Sequence, residues 1–381
     1  MKSIYELDLE NKTVILRCDY NVSIKDNKIV SDERIVASLD TINYLLSKNA
    51  KIIIMSHLGK IKTLEDKNNN SLYIVYERLS ELVNAKVIFS SATSGKILED
   101  KIASLNNGEI LLMENTRFED LDNNKESNCD PELSKYWASL GDCFVNDAFG
   151  MSHRRHASNY GISKYLDSAY GLLIEKELKG LELVVNPDRP FVVFMGGAKI
   201  EDKLDIIKMI LPKCDYLLVG GGVANSFINC NYNVGLSLYN NEKKDELLDL
   251  LNTYKDKIIL PVDVRVLNND MVIERELDQI TDNDNILDLG TKTVYIYKDI
   301  IDKANTIFLN GTAGKYEDNR FEDGTKEILN IISSSNAKSV VGGGDAISSM
   351  EYFNIKDFTF VSTGGGATLE YIATGKLNCF D

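Results

Sequence analysis

The sequence predicts an α/β protein with two doubly wound parallel sheets joined by a helix. Three observations carry this. Short apolar, β-branched runs recur along all 381 residues, helix-length amphipathic segments separate them, and they fall into two sets of about half a dozen. Continuous apolar runs fit strands buried on both faces, as in parallel sheets, and strand–helix alternation on this scale is the doubly wound pattern.

In the first half the runs are TVILR (13–17), KIIIMS (51–56), KVIF (86–89), EILLM (109–113) and CFVND (143–147). In the second half they are FVVFM (191–195), YLLVG (216–220), KIILP (257–261), TIFLN (306–310), SVVGG (339–343) and FTFVS (358–362). Among the connectors, 33–48 reads as one helix, with Ile35, Leu39, Ile42 and Leu46 on one apolar face. DKNNNS (66–71) reads as a polar loop. A charged helical segment, Glu175 to Leu183, is stopped by NPDRP (186–190), after which a new strand begins. The expected domains are therefore 1–170, a joining helix over 171–186, and 187–368.

Composition narrows the function. Hydrophobic residues make up 44% and charged residues 27%, ordinary for a globular protein, and the net charge is −15. Such a charge argues against nucleic acid and anionic membranes as main partners, while leaving room for a small anion in a local basic pocket. Six scattered cysteines without CxxC pairing read as reduced thiols. The opening MKSIYELDLENK lacks the apolar run of a signal peptide, and no 18-residue apolar stretch exists, so a cytoplasmic protein is expected.

In open parallel sheets, ligands bind beyond the carboxyl ends of the strands. In the second half those positions are glycine-rich: GGAK (196–199), GGG (220–222), NGTAG (310–314), GGGD (342–345) and TGGGA (363–367). Glycine lets the backbone approach a ligand, and a following helix N-terminus favours an anion, so phosphate or nucleotide binding is the expectation. The spacing GxxxxGK[ST] of a P-loop is absent, and no GxGxxG follows the first strand. That counts against a nicotinamide-linked dehydrogenase. Lys199 and Lys203 would share a face if their segment is helical; a solvated lysine pair is the plainer alternative. In the first half the strand ends carry Asp19, Asn21, His57, Arg117, Arg154 and His156, with Arg34 on the helix that follows. Converging arginines suit a phosphorylated carboxylic acid, although any one of them could be a surface ion pair. No Ser/His/Asp or Cys/His set and no zinc spacing is evident around the three histidines, His57, His153 and His156.

Taken in order, LRCDYNV (16–22), MSHLGK (55–60), ENTRFE (114–119), VNDAFGMSHRRHAS (145–158), GGAKIEDK (196–203), LPVDVRV (260–266), VVGGGDA (340–346) and STGGGATLEY (362–371) resemble the phosphoglycerate kinases over nearly the whole chain. The resemblance implies two Rossmann-like domains and reversible phosphoryl transfer from 1,3-bisphosphoglycerate to ADP after domain closure. It also implies a monomer whose C-terminal tail, 369–381, packs on the first domain. Carried over by position, phosphoglycerate would meet Asp19, Tyr20, Asn21, Arg34, His57, Leu58, Gly59, Lys60, Arg117 and Arg154. The nucleotide, ATP or ADP with Mg2+, would meet Gly197, Lys199, Lys203, Gly221, Asn310, Glu317, Gly343, Gly344, Asp345 and Ala346. Asp345 would hold the metal, and Arg34 and Lys199 would stabilise the transferred group. Lys60 stands where arginine is usual, Ala346 where threonine is, and Thr312 and Lys315 alter the NGTAGKYE stretch. A non-catalytic descendant of the same fold is the alternative; it would have lost charged ligands in one domain.

Overall fold

The structure is a computed structural model describing residues 2–380. Its strands, in chain order, are β1 (Lys2–Ser3), β2 (Thr13–Arg17), β3 (Ile24–Lys25), β4 (Lys28–Ile29), β5 (Lys51–Met55), β6 (Val87–Ser90), β7 (Ile110–Met113), β8 (Cys143–Asn146) and β9 (Ser168–Tyr170). There follow β10 (Phe191–Met195), β11 (Tyr216–Val219), β12 (Ile258–Ile259), β13 (Asp263–Asn268), β14 (Met271–Glu276), β15 (Asn285–Leu289), β16 (Thr306–Asn310), β17 (Lys338–Gly342) and β18 (Phe360–Ser362). Two compact units emerge: Met1–Leu178 with Lys376–Asp381, and Lys179–Gly375.

The first unit is built on a seven-stranded sheet of order β1-β9-β8-β2-β5-β7-β6, parallel throughout. Both of its faces are covered, and side-chain alternation along each strand shows how. Val14, Leu16, Ile52, Ile54, Ile110, Leu112 and Val145 enter one core cluster. Their neighbours Ile15, Ile53, Met55, Leu111, Met113 and Phe144 enter another on the opposite side. The chain leaves β2 toward β5 on one side and returns to β8 on the other, so the sheet changes direction between β2 and β8.

The second unit repeats the plan with six parallel strands, β12-β11-β10-β16-β17-β18, reversing between β10 and β16. It adds an antiparallel sheet, β14-β13-β15, that the sequence reading missed. The reason is visible in β14, MVIERE, which has no buried residue and therefore no apolar run to detect.

Three other local expectations are corrected. The single helix over 33–48 is two, Glu33–Val36 and Leu39–Ser47. They part at Ser38, whose hydroxyl donates back to the Ile35 carbonyl (2.7 Å) and pairs with the Tyr20 hydroxyl (2.8 Å). Most of the expected loop 66–71 is helix Leu64–Asn69, started by Thr63 and Asp66 in a reciprocal cap. Lys199 and Lys203 share no helix, because the helix there is Leu204–Ile210 with Lys203 as its N-cap. The joining helix runs Leu172–Val185 and crosses the division between the units. Only Lys376–Asp381 group with the first unit; helix Gly366–Thr374, which holds the first residues of the expected tail, belongs to the second.

Candidate active site

In the first unit the ends of β8, β2, β5 and β7 are neighbours, so the residues after them meet at the point where strand order reverses. Asp19 is the hub. The Arg34 guanidinium donates to its Oδ2 (2.8 Å), and its Oδ1 lies 3.8 Å from His57 Nδ1. Asn21 accepts from the Gly59 amide (2.8 Å), tying the loop after β2 to the loop after β5. Arg117 is nearly buried, with Nη1 4.0 Å from Asp120 and Nε without a hydrogen bond among the described residues. Arg154 is exposed, and its Nε donates to His153 (3.1 Å). Lys60 is exposed and makes no hydrogen bond or ion pair among the described residues. Tyr20 and Leu58 turn their side chains into the core, so only their backbones border the site.

Behind this set lies a buried layer the sequence reading passed over. Arg17, the last residue of β2, is 1% exposed; its Nε donates to Ser158 (2.9 Å) and its Nη2 to His57 Nδ1 (3.2 Å). A guanidinium can only donate, so His57 Nδ1 is an acceptor and the ring proton sits on Nε2. Burial first, and then the charges of Arg17, Arg117, His156 and Arg34, hold His57 well below its ordinary pKa, keeping it neutral. Glu126, fully buried, accepts from the Ser158 amide (2.9 Å) and lies 3.7 Å from His156. Burial opposes its charge, but the hydrogen bond from His156 and the charges of His156 and Arg17 keep it ionised. An arginine closing an otherwise apolar strand was the one signal for this layer.

In the second unit the glycine loops after β11, β10 and β16 close on one another through backbone hydrogen bonds. Gly196 N donates to Asn310 O (2.8 Å), Gly197 N to Thr312 O (3.0 Å) and Gly221 N to Ala313 O (2.7 Å). The packing leaves no room for side chains at these crossings: a Cβ on Gly222 would overlap the Ala198 carbonyl. Gly344 differs, since a Cβ there would meet nothing within 4 Å. It opens helix Gly344–Phe353, with Gly343 as N-cap, so its amide and the neighbouring ones stand at a free helix N-terminus.

Polar side chains gather at that opening. Asn310 donates to Gly342 O (2.6 Å) and accepts from Lys203 Nζ. Burial depresses the Lys203 pKa, while Asp345 and Asp202 oppose the shift. The Asp345 carboxylate is exposed and lies 4.0 Å from where Gly197 would carry a Cβ. Lys199 and Glu317 are exposed, and Ala346 is fully buried. A small hollow beside the cradle, lined by Gly221, Ala224, Asn225, Ile286, Leu287 and Ala313, draws on β15 and was not anticipated. No group of three or more His, Cys, Asp or Glu residues able to hold a metal occurs among the described residues, so Asp345 offers a single carboxylate.

A family profile described as phosphoglycerate kinase matches residues 4–376. The phosphoglycerate kinase of Macrococcus caseolyticus is 46% identical over 99% of this chain and 97% of its own length. That of Fusobacterium nucleatum is also 46% identical, over 97% and 96%. The structure of phosphoglycerate kinase from Coxiella burnetii superposes with a TM-score of 0.86 at 35% identity, covering 99% of this chain and 97% of that one. With near-complete coverage in each comparison, the chain belongs to the phosphoglycerate kinase family.

Proposed function

We propose that the chain catalyses reversible transfer of the acyl phosphate of 1,3-bisphosphoglycerate to ADP, giving 3-phosphoglycerate and ATP. One observation supports this most: a cationic cluster stands at the strand ends of one unit and a glycine cradle at those of the other, in a chain of net charge −15.

The first unit, 1–170 together with the C-terminal tail, would bind phosphoglycerate, and 187–368 would bind the nucleotide. Arg34, Arg117, Arg154, Lys60 and His57 Nε2–H would contact the phosphate and carboxylate, with the Tyr20, Leu58 and Gly59 backbones shaping the pocket. Asp19 and Asn21 hold these groups in register and would accept from the substrate hydroxyl. In the cradle, amides from Gly197, Gly221, Gly343, Gly344, Asp345 and Ala346 would face the nucleotide phosphates, with Lys203 and Asn310 beside them and Glu317 at the ribose. Asp345 suits Mg2+, which commonly takes one or two carboxylates plus substrate phosphates and would neutralise phosphate charge.

A β-phosphate oxygen of ADP attacks the acyl phosphorus, and the phosphorus–carboxylate bond breaks in line, releasing the carboxylate. Such transition states are loose, so positioning and charge stabilisation do most of the work. Lys199 and Arg34 would follow the moving group. The two ligand sets stand on separate units, so transfer needs both substrates bound and the sets brought together, with water excluded. We place the enzyme in the cytoplasm as a monomer acting on small molecules rather than nucleic acid. None of the described helices is long and apolar enough to cross a membrane. A coupled assay of ATP formation tests the activity; binding of both ligands without ATP formation would reduce the chain to a binding protein.

A further inference from the structure

We propose that Asp147 is a positioning residue for this transfer, its carboxylate linking the turn that carries Arg154 to the first turn of helix Leu172–Val185. The proposal rests on the phosphoryl-transfer reading above.

Asp147 is the first residue beyond β8, at the reversal point of the first sheet. Its amide donates to the Arg17 carbonyl (2.8 Å), fixing it to β2. Its Oδ1 accepts from the amides of Leu173 (3.0 Å) and Ile174 (3.3 Å), while the Leu172 amide donates to Thr41 Oγ1 (2.9 Å). The first amides of a helix have no partner within it, and here side chains from elsewhere in the unit take three of them. A Cβ on Gly171 would overlap the carboxylate, so that glycine is required for the contact.

On the other side, the chain that directly follows Asp147, from Ala148 to Arg154, is one hydrogen-bonded unit. Met151 N and Ser152 Oγ both donate to Ala148 O (3.1 and 3.0 Å), Ser152 N donates to Phe149 O (2.9 Å), and Arg154 N to Met151 O (3.0 Å). A substrate drawing on Arg154 therefore moves a turn whose base is the carboxylate holding the helix. That helix continues beyond Leu178 into the second unit's chain.

The charge itself is the informative feature. Asp147 is fully buried, and its Oδ2 has no hydrogen bond among the described residues. The ionisable groups facing it are Cys18 and Tyr20 from the end of β2 and Asp40 from helix Leu39–Ser47, none of them a cation. Burial pushes its carboxyl up to about 7, against the pull of Thr41 and the Ile174 and Leu173 amides. An asparagine could accept the same two amide bonds without that penalty. A carboxylate adds attraction to the positive end of the helix, which an asparagine would lose.

The test is Asp147→Asn in the full chain. At pH 8 the variant should melt at or above wild type, because a buried charge has gone. Its kcat should fall about tenfold, with both KM values within about twofold of wild type. Its Leu173 and Ile174 amides should exchange hydrogen faster. Wild-type kcat should decline as pH drops through about 7, whereas the variant's profile should be flat there. Wild-type kcat in the variant, or a lower melting temperature alongside the kcat loss, or a variant that does not fold, overturns the proposal. Thr41→Val tests it separately and should lose kcat where Thr41→Ser keeps it; equal kcat in the two also overturns it. Wild-type protein making no ATP would instead refute the activity, while the exchange and melting comparisons would still report on Asp147.

Discussion

At the scale of single residues, the two sites contain cations in contrasting settings. Lys203 is mostly buried and bound to Asn310, so its position is fixed before any ligand arrives. Lys199 is exposed and makes no hydrogen bond or ion pair among the described residues, so little of the fold depends on it. Lys199→Ala should therefore cut kcat about a hundredfold or more, as expected for losing a donor to the transition state. Its melting temperature should stay within about 2 °C of wild type. Unchanged turnover in a coupled assay would remove Lys199 from the mechanism. His57 shows how a neighbour sets chemistry: Arg17 donates to Nδ1, so the imidazole acts as a neutral donor through Nε2 rather than as a cation.

At the scale of elements, glycines with the same sequence context do different work. Gly222 lies where two loops cross, and a methyl there would strike the Ala198 carbonyl. Gly344 starts helix Gly344–Phe353 with open space beside it. Gly222→Ala should destabilise the fold by about 1–3 kcal/mol through overpacking. Gly344→Ala should leave stability unchanged or raise it by up to about 1 kcal/mol, since alanine is the better helix former. Its effect should appear in nucleotide affinity, weakened about tenfold where the methyl occupies the ligand's approach. Calorimetric melting and nucleotide titration separate the two. A Gly344→Ala variant that binds ADP normally would show that the phosphates do not approach there.

For the whole molecule, buried titratable groups shape stability against pH. Asp147 and Asp288 are both pushed up to about 7, chiefly by burial. Unfolded, they ionise near their ordinary value of 3.8. Between those values the folded chain keeps protons that the unfolded chain has released, so their contribution to stability is full at low pH and is lost as pH rises toward about 7. At about 1.4 kcal/mol per pKa unit, each effect is on the order of 4 kcal/mol. His57 acts oppositely. Its folded pKa is depressed, so the unfolded chain takes up a proton first, and stability falls as pH drops below its ordinary value of 6.5. Asp288 accepts from the Gly324 amide (2.8 Å), a bond asparagine can keep. Asp288→Asn should accordingly raise the melting temperature at pH 8 and leave it unchanged near pH 4. Equal destabilisation at both values would mean that the hydrogen bond, not the buried charge, dominates.

The sequence alone determined the two parallel sheets, the joining helix and the glycine-rich loops that follow the strands, because all three rest on short-range patterns. Runs such as FVVFM and TIFLN are buried along their whole length, and glycines follow them directly. The sequence could not determine what depends on distant segments meeting. Arg17 reads as one residue of an apolar strand until Ser158 and His57 are brought beside it. Asp147 reads as part of a motif until the amides of Leu173 and Ile174 are found on its carboxylate. Strand β14, with no fully buried residue, gains its partners only by pairing with β13. Tertiary structure decided these because burial and hydrogen bonding set the charge state and direction of a side chain, and both are supplied by residues far along the chain.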